Sequence, residues 1–234
     1  MIKPKALTSL SVFFPCYNEA ENVGTLIRES VEMADRYGVD YEIVVVDDGS
    51  RDRTAEIVSE WREKNPRVRL VRHSENKGYG AAVRSGFENA AKDLVFMTDG
   101  DRQFRVAEIE KLFSKIDSCD VVTGYRIGRR DKGYRRLNGR LWTALTRFLF
   151  GLPVRDVDCA FKLVRRHAME NLKLESNQLL IHAEFLARLK KRGCKIEEIG
   201  VTHYPREKGK ATATAPLRVL KTFAELFRLY WRLR

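Results

Sequence analysis

No apolar run in this sequence is long enough to cross a bilayer. The longest, around Ile43 to Val46 and Phe148 to Val154, fall far short of the roughly 20 residues a spanning helix needs. No apolar segment or small-residue cleavage site follows Lys3 and Lys5, so a secretory leader is not expected and the chain is expected in the cytosol. Cysteine is sparse: Cys16, Cys119, Cys159 and Cys194 have neither metal-finger nor redox-pair spacing and read as reduced thiols. There is no GxGxxG after the first predicted strand and no GxxxxGK[ST] anywhere, which argues against a dinucleotide dehydrogenase and a P-loop NTPase. Any phosphate must then be held by metal and basic side chains. Low-complexity tracts and internal repeats are also missing, and 234 residues suit one domain with at most a small appendage. Acidic residues are outnumbered, 32 against 44 Lys and Arg, and the net charge of +12 calls for an anionic partner: nucleic acid, phosphorylated small molecules or an acidic membrane surface.

What is present is an alternation. Leu10 to Phe14, Glu42 to Val46, Val68 to Arg72 and Leu94 to Met97 are apolar, largely β-branched runs that predict strands. Between them the patterns predict helices over Glu19 to Tyr37, Thr54 to Lys64 and Gly80 to Ala91. The βαβαβαβ order implies an α/β fold with a mostly parallel sheet flanked by helices, in which ligands sit at the carboxyl ends of the strands. The second half predicts strands at Val121 to Gly124, Ala160 to Val164 and Lys195 to His203, and helices at Leu137 to Leu149 and His182 to Arg192. No linker divides it from the first half.

Each early strand ends in residues unsuited to a core: Pro15-Cys16-Tyr17-Asn18-Glu19, Asp47-Asp48-Gly49-Ser50, Asn76-Lys77-Gly78 and Asp99-Gly100-Asp101. At the second end, one of Asp47 and Asp48 can accept hydrogen bonds from a base or ribose, while the other can close an Asx turn before the helix at Thr54. Asp99 and Asp101 lie two apart with Gly100 between them, so both carboxylates can approach one Mg²⁺ or Mn²⁺ together with a diphosphate, and Gln103 can add a neutral oxygen.

In order and spacing these motifs, with Gly124-Tyr125-Arg126 and Asp156-Val157-Asp158-Cys159-Ala160-Phe161-Lys162, resemble the family 2 glycosyltransferases of GT-A fold, in particular the polyprenyl-phosphate branch that includes dolichyl-phosphate mannose synthase. The resemblance spans roughly Leu10 to Ala215. It implies a donor pocket for a nucleoside-diphosphate sugar, GDP-mannose or a UDP-hexose, lined by Pro15, Tyr17, Asn18, Glu19, Asp47, Asp48, Asn76, Gly78, Asp99 and Gly100. Asp99, Asp101 and Gln103 would hold Mg²⁺ or Mn²⁺. His203-Tyr204-Pro205-Arg206 with Gly209 and Lys210 resembles the segment that closes over the donor diphosphate, with Arg206 and Lys210 as its ligands, although Ala211-Thr212 stands where the family often has Ser-Lys. Arg126 and Arg136 are placed near the phosphate of a polyprenyl or dolichyl phosphate acceptor.

A phosphate acceptor is already ionised at neutral pH, so inversion by a single displacement needs no strong base. The alternative is a glycan or soluble hydroxyl acceptor, for which Glu184 or Asp156 would be the base. A non-enzymatic alternative, a basic nucleic-acid-binding protein, rests on charge and the Arg126 to Arg140 segment alone, without a recognised binding motif, so nucleic acid is not expected. Residues 216–234, after a catalytic domain over 1–215, predict a basic amphipathic helix. Leu217, Leu220, Ala224, Phe227 and Trp231 recur on one side, joined by Phe223, Leu226, Tyr230 and Leu233, with Arg218, Lys221, Glu225, Arg228 and Arg232 on the other. It is expected to touch a membrane surface, a membrane-protein partner or a second copy of the chain, or to pack on the domain, which places the protein at the cytoplasmic membrane face.

Overall fold

A computed structural model describes residues 3–128, 133–206, 208 and 216–233, with side chains outside 133–137 and 216–221. The first half runs β1 (Ser9–Cys16), α1 (Ala20–Tyr37), β2 (Asp40–Asp47), α2 (Thr54–Lys64), β3 (Val68–Arg72), α3 (Tyr79–Asn89) and β4 (Leu94–Met97). Next come α4 (Ile109–Ile116), β5 (Val121–Ile127), α5 (Gly133–Phe150), β6 (Lys162–Arg165) and the short α6 (Arg166–Met169). The chain closes with α7 (Leu180–Lys191), β7 (Ile196–Thr202) and α8 (Pro216–Leu233). The predicted elements are all found within a few residues of their expected bounds. The sequence reading missed α4, although Ile109, Leu112, Phe113 and Ile116 repeat at the helical interval and are all buried.

The strands form one seven-stranded sheet in the order β3-β2-β1-β4-β6-β5-β7. β1, β2, β3 and β4 are mutually parallel neighbours and β7 is parallel to β5, while β6 runs antiparallel to both β4 and β5. The order reverses beside β1, which has β2 on one side and β4 on the other. Such a switch point opens a crevice at the carboxyl ends of the strands.

Period-two alternation sends the strand side chains into two cores. Leu10, Val12 and Phe14 of β1 join Ile43 and Val45 of β2 beneath α1, α2 and α4. Phe13, Val44 and Val46 face the other way, toward α3 and α7. On that second face Phe13 meets Phe87 edge-on at 4.9 Å, and Phe87 stacks on Phe185 at 4.6 Å.

α8 belongs to this second core. Its buried residues are Leu226 and Leu229, Phe223 packs edge-on against Trp142 of α5, and Lys191 donates to the Leu233 carbonyl at 2.6 Å. The apolar stripe read from the sequence is divided: Leu226 is buried and Phe223 packs on α5, while Phe227 is 48% and Trp231 68% exposed. The helix is apolar on two sides, and packing claims the one that reaches α5 and α7. No described helix is long and apolar enough to cross a membrane.

Gly86 of α3 marks the tightest helix-to-sheet contact, because a Cβ there would sit 2.2 Å from the Phe13 ring. Gly86→Ala is therefore expected to cost about 1–3 kcal/mol of unfolding free energy, measurable as a lower urea midpoint at unchanged slope.

Candidate functional site

The turns after β1 and β2 are laced together. Asn18 takes the left-handed conformation, with φ of 56°, and its Oδ1 accepts from Arg51 N at 2.9 Å. In return Asn18 N donates to Ser50 Oγ, Glu19 N to Thr54 Oγ1 and Ala20 N to Asp52 Oδ2. The two candidate aspartates divide their work. Asp47 is fully buried, accepts from Ser50 N at 2.9 Å in an Asx turn, and lies 3.2 Å from Arg72 Nε. It lines neither described cleft, and the turn and Arg72 engage it. Asp48 binds the β3–α3 loop, accepting from His73 Nδ1 at 2.6 Å and from Lys77 N and Gly78 N at 2.9 Å. Gly49 and Gly78 have φ of 72° and 99°, and a Cβ on either would strike backbone within 2.5 Å, so these turns require glycine.

Two clefts meet at Tyr17 and Asn76. One, of about 560 Å³, runs along Gly49–Arg51 and Arg72–Glu75. The other, of about 620 Å³, runs from Pro15 and Glu19 past Asp48, Gly78 and Tyr79 to Asp99, Gly100 and Asp101, and is closed by Arg206 with Thr222 and Glu225 of α8. Most of the expected donor-site residues are thus brought together. Gly100 is what lets the β4 turn approach β1, since a Cβ would lie 2.8 Å from Cys16 Sγ.

Charge dominates the second cleft. Burial, then the neighbouring Asp101 carboxylate, pushes Asp99 up to about 7. Burial raises Asp101 and Glu19 in the same sense, despite Arg206 beside both. Arg206 ion-pairs with Glu19 and lies 3.9 Å from Asp101 Oδ2. Its segment is held over the acids by two bonds to Gln103: Tyr204 N donates to Gln103 O at 2.9 Å, and Gln103 Nε2 donates to Tyr204 O at 3.2 Å. That leaves the Gln103 amide oxygen as the end available to a cation.

No three His, Cys, Asp or Glu side chains among the described residues form a closed metal cage. Two crowded carboxylates with one amide oxygen nevertheless fit a hard divalent ion that takes its remaining ligands from phosphate and water. Asp99 contributes only one free oxygen on the protein side, because Tyr79 Oη donates to its Oδ1 at 2.7 Å and is itself 3.0 Å from His182 Nε2. Neither Tyr79 nor His182 was singled out by sequence. The only sequence signal was position, Tyr79 directly following the Asn76-x-Gly78 motif.

The remaining candidates sit behind this cleft. Arg126 donates from Nε and Nη2 to the two oxygens of Asp156, at 2.6 and 2.7 Å, so each is engaged by the other. Asp158, also unforeseen, accepts from Trp142 Nε1 at 3.1 Å and is pushed up to about 6, first by burial and then by Asp156. Glu184 is fully buried and accepts from Glu175 N, Ser176 N and Arg188 Nε. It lines neither described cleft, and its carboxylate anchors the loop before α7. The Arg136 side chain and Lys210 lie outside the described residues.

The raised Asp99 has a stability consequence. Between about pH 4 and pH 7 the folded chain keeps a proton that the unfolded chain has released, so this group's contribution to stability falls as pH rises through that window. In metal-free buffer Asp99→Asn is expected to melt above wild type at pH 8, with the difference shrinking toward pH 5, as read by thermal denaturation across pH.

Residues 11–173 match the family described as glycosyl transferase family 2. Among curated relatives, undecaprenyl-phosphate 4-deoxy-4-formamido-L-arabinose transferase of Enterobacter sp. (strain 638) is 33% identical over 97% of this chain and 74% of its own length. The Edwardsiella ictaluri (strain 93-146) enzyme of the same name is 32% identical over 96% and 74%. Two solved structures share the fold at lower identity. Glucosyl-3-phosphoglycerate synthase from Mycobacterium tuberculosis, in complex with Mn²⁺, UDP and glucosyl-3-phosphoglycerate, superposes with a TM-score of 0.69 at 18% identity, covering 98% of this chain and 81% of its own. Mannosyl-3-phosphoglycerate synthase from Rubrobacter xylanophilus gives 0.71 at 16%, covering 96% and 73%. With the family match over most of its length and relatives that align with it almost from end to end of this chain, the chain belongs to glycosyl transferase family 2 and is a glycosyltransferase of GT-A fold.

Proposed function

We propose that this glycosyltransferase moves a sugar from a nucleoside-diphosphate sugar to a polyprenyl phosphate, with a divalent cation held by Asp99, Asp101 and Gln103. The observation that carries the reading is the pair of crowded, partly buried carboxylates at the switch point with Arg206 directly across from them. The relatives named for transfer to undecaprenyl phosphate support the acceptor class.

In this reading Tyr17, Asn76 and the Gly49–Ser50 turn take the nucleoside, while Pro15, Glu19 and Gly100 border the diphosphate and sugar. Mg²⁺ or Mn²⁺ would supply Lewis-acid stabilisation of the departing diphosphate. Arg206 leaves its ion pair with Glu19 and takes up the charge that develops on that diphosphate. An acceptor phosphate oxygen forms the bond to the anomeric carbon on the face opposite the leaving group. The carbon–oxygen bond to the diphosphate breaks, and its electron pair departs with the nucleoside diphosphate, giving inversion. No side chain must remove a proton. A hydroxyl acceptor would need one that could, and the two candidates are engaged elsewhere: Glu184 is sealed beneath the 175–176 backbone and Asp156 is in a two-pronged pair with Arg126. Family membership likewise outweighs the nucleic-acid-binding alternative.

The acceptor lipid also gives a use to the exposed apolar residues of α5 and α8. Phe148 is 85% and Leu141 60% exposed on α5, Phe227 and Trp231 are exposed on α8, and these residues are our proposed contact with the membrane surface.

Release of UDP or GDP from a panel of sugar nucleotides, dependent on both polyprenyl phosphate and Mg²⁺ or Mn²⁺, is the expected result. Asp101→Asn should lower turnover by about 100-fold or more and Arg206→Ala by roughly 10- to 100-fold. The absence of release with any donor and lipid phosphate would reject the reaction. Phe148→Ser with Trp231→Ser should reduce co-sedimentation with anionic vesicles several-fold; unchanged co-sedimentation would reject the membrane face.

A further inference from the structure

Partly buried Tyr79 and buried His182 are polar groups beside the carboxylate pair that the reaction above leaves unused. They come from different elements, Tyr79 opening α3 and His182 lying in the first turn of α7, yet the Tyr79 hydroxyl is 2.7 Å from Asp99 Oδ1 and 3.0 Å from His182 Nε2. The direction of both bonds follows from the groups. A metal-binding carboxylate is ionised and can only accept, so the single hydroxyl proton of Tyr79 goes to Asp99. The Tyr79 oxygen then accepts, and the hydrogen of the imidazole sits on His182 Nε2.

We propose that His182 and Tyr79 are positioning residues that fix the Asp99 carboxylate in the orientation from which it shares a divalent cation with Asp101. The inference rests on the metal reading given above. It needs no proton transfer: the chain of two hydrogen bonds acts by restricting rotation of a side chain that sits on a turn.

The surroundings are built to hold such a chain still. Gly80, next to Tyr79, donates its N–H to Asn177 O at 2.9 Å, and a Cβ on Gly80 would lie 2.5 Å from Ser176 O. The start of α3 is thus pressed against the 176–177 backbone. Ser176 N donates at 2.8 Å to Glu184, two residues beyond His182 on the same helix. Glu184, read from sequence as a base, becomes intelligible here: it ties together the two elements that carry the relay. Groups that orient metal ligands from behind typically change metal affinity or activity by about 10- to 100-fold when removed.

The test is Mn²⁺ binding, followed by loss of the free-ion paramagnetic resonance signal in the presence of UDP or of GDP, whichever raises the melting temperature of the wild type. Tyr79→Phe keeps the ring and removes the bond; its Mn²⁺ dissociation constant is expected to rise about 10-fold. His182→Phe should weaken binding in the same direction, whereas His182→Gln, whose amide can still donate, should stay within about 2- to 3-fold of wild type. Because His182 acts through the Tyr79 hydroxyl, the double variant Tyr79→Phe with His182→Phe should bind no more weakly than Tyr79→Phe alone. Wild-type affinity in Tyr79→Phe, or losses that add in the double variant, overturns the relay while leaving the metal site intact. A wild type that takes up no Mn²⁺ with either nucleotide overturns the metal reading and the relay with it. Should Tyr79→Phe fail to fold, the contrast between His182→Gln and His182→Phe decides: equal affinities overturn the proposal.

Discussion

The carboxyl ends of β1 and β4 bring Glu19, Asp99 and Asp101 into one partly buried cleft, and the repulsion among these acids is the constraint around which the site is arranged. Like charges a few ångströms apart repel strongly where water is partly excluded. The chain responds in two ways. Some acids hold protons more tightly than usual, Asp99 up to about 7 and Asp158 up to about 6. Others are met by cations: Asp156 by Arg126, Glu19 by Arg206, with the buried Lys162 ammonium donating to the Val157 and Cys159 carbonyls behind them. Cys16 sits amid the same acids, and burial followed by Glu19, Asp47, Asp99 and Asp101 raises its thiol further, so it remains a neutral wall of the cleft. Each neutralising cation from the protein comes from behind or above the acids, and the cleft between them is where a further cation would gain most.

Holding such repelling groups together requires a stiff frame, and here the backbone supplies it. The β1 and β2 turns exchange hydrogen bonds through Asn18, Ser50, Asp52 and Thr54, and Asp48 binds the loop after β3. A 0% exposed aspartate in an Asx turn and another accepting three donors are structural uses of acids that sequence alone presents as a matched pair for ligand binding. Arg206 is the looser part of the arrangement. Its partners are acids of the cleft itself, so under the proposed reaction an incoming diphosphate would compete for it with Glu19, exchanging one ion pair for another instead of desolvating a free guanidinium.

Much of this was legible in the sequence because strand ends in an open parallel sheet must converge. Four motifs far apart in the chain could be assigned to one crevice from the order of elements alone, and each contributes residues to the lining of the second cleft. What was not legible depends on contacts that leave no local pattern. Tyr79 bonds Asp99 across 20 residues and His182 across 103. Arg126 and Asp156 each look like functional candidates until they are found facing one another. Glu184 stands as an acid on a predicted helix, and its carboxylate turns toward backbone N–H groups eight and nine residues away. In α8, the stripe chosen by periodicity holds both the buried Leu226 and the exposed Phe227 and Trp231, since a broadly apolar helix gives no sign of which part the domain will cover.

That two-sidedness matters for how catalysis and location are joined. Thr222 and Glu225 of α8 line the cleft, Leu226 and Leu229 fix the helix to the core, and Phe227 and Trp231 face outward. One rigid helix therefore borders the acidic cleft on one side and presents an apolar surface on another, with α5 beside it through the Trp142–Phe223 and Phe150–Tyr230 contacts. Under the proposed reaction the acceptor has the same dual character, an anionic head on an apolar tail. A head drawn toward Arg206 and a divalent cation can reach them while its tail stays near the exposed faces of α5 and α8. The acceptor phosphate would otherwise meet a cleft lined with carboxylates, and repulsion would oppose its entry. Under that reaction the divalent cation would have to bind before the acceptor to offset the carboxylates, so the electrostatics that organise the cleft also favour an order of events.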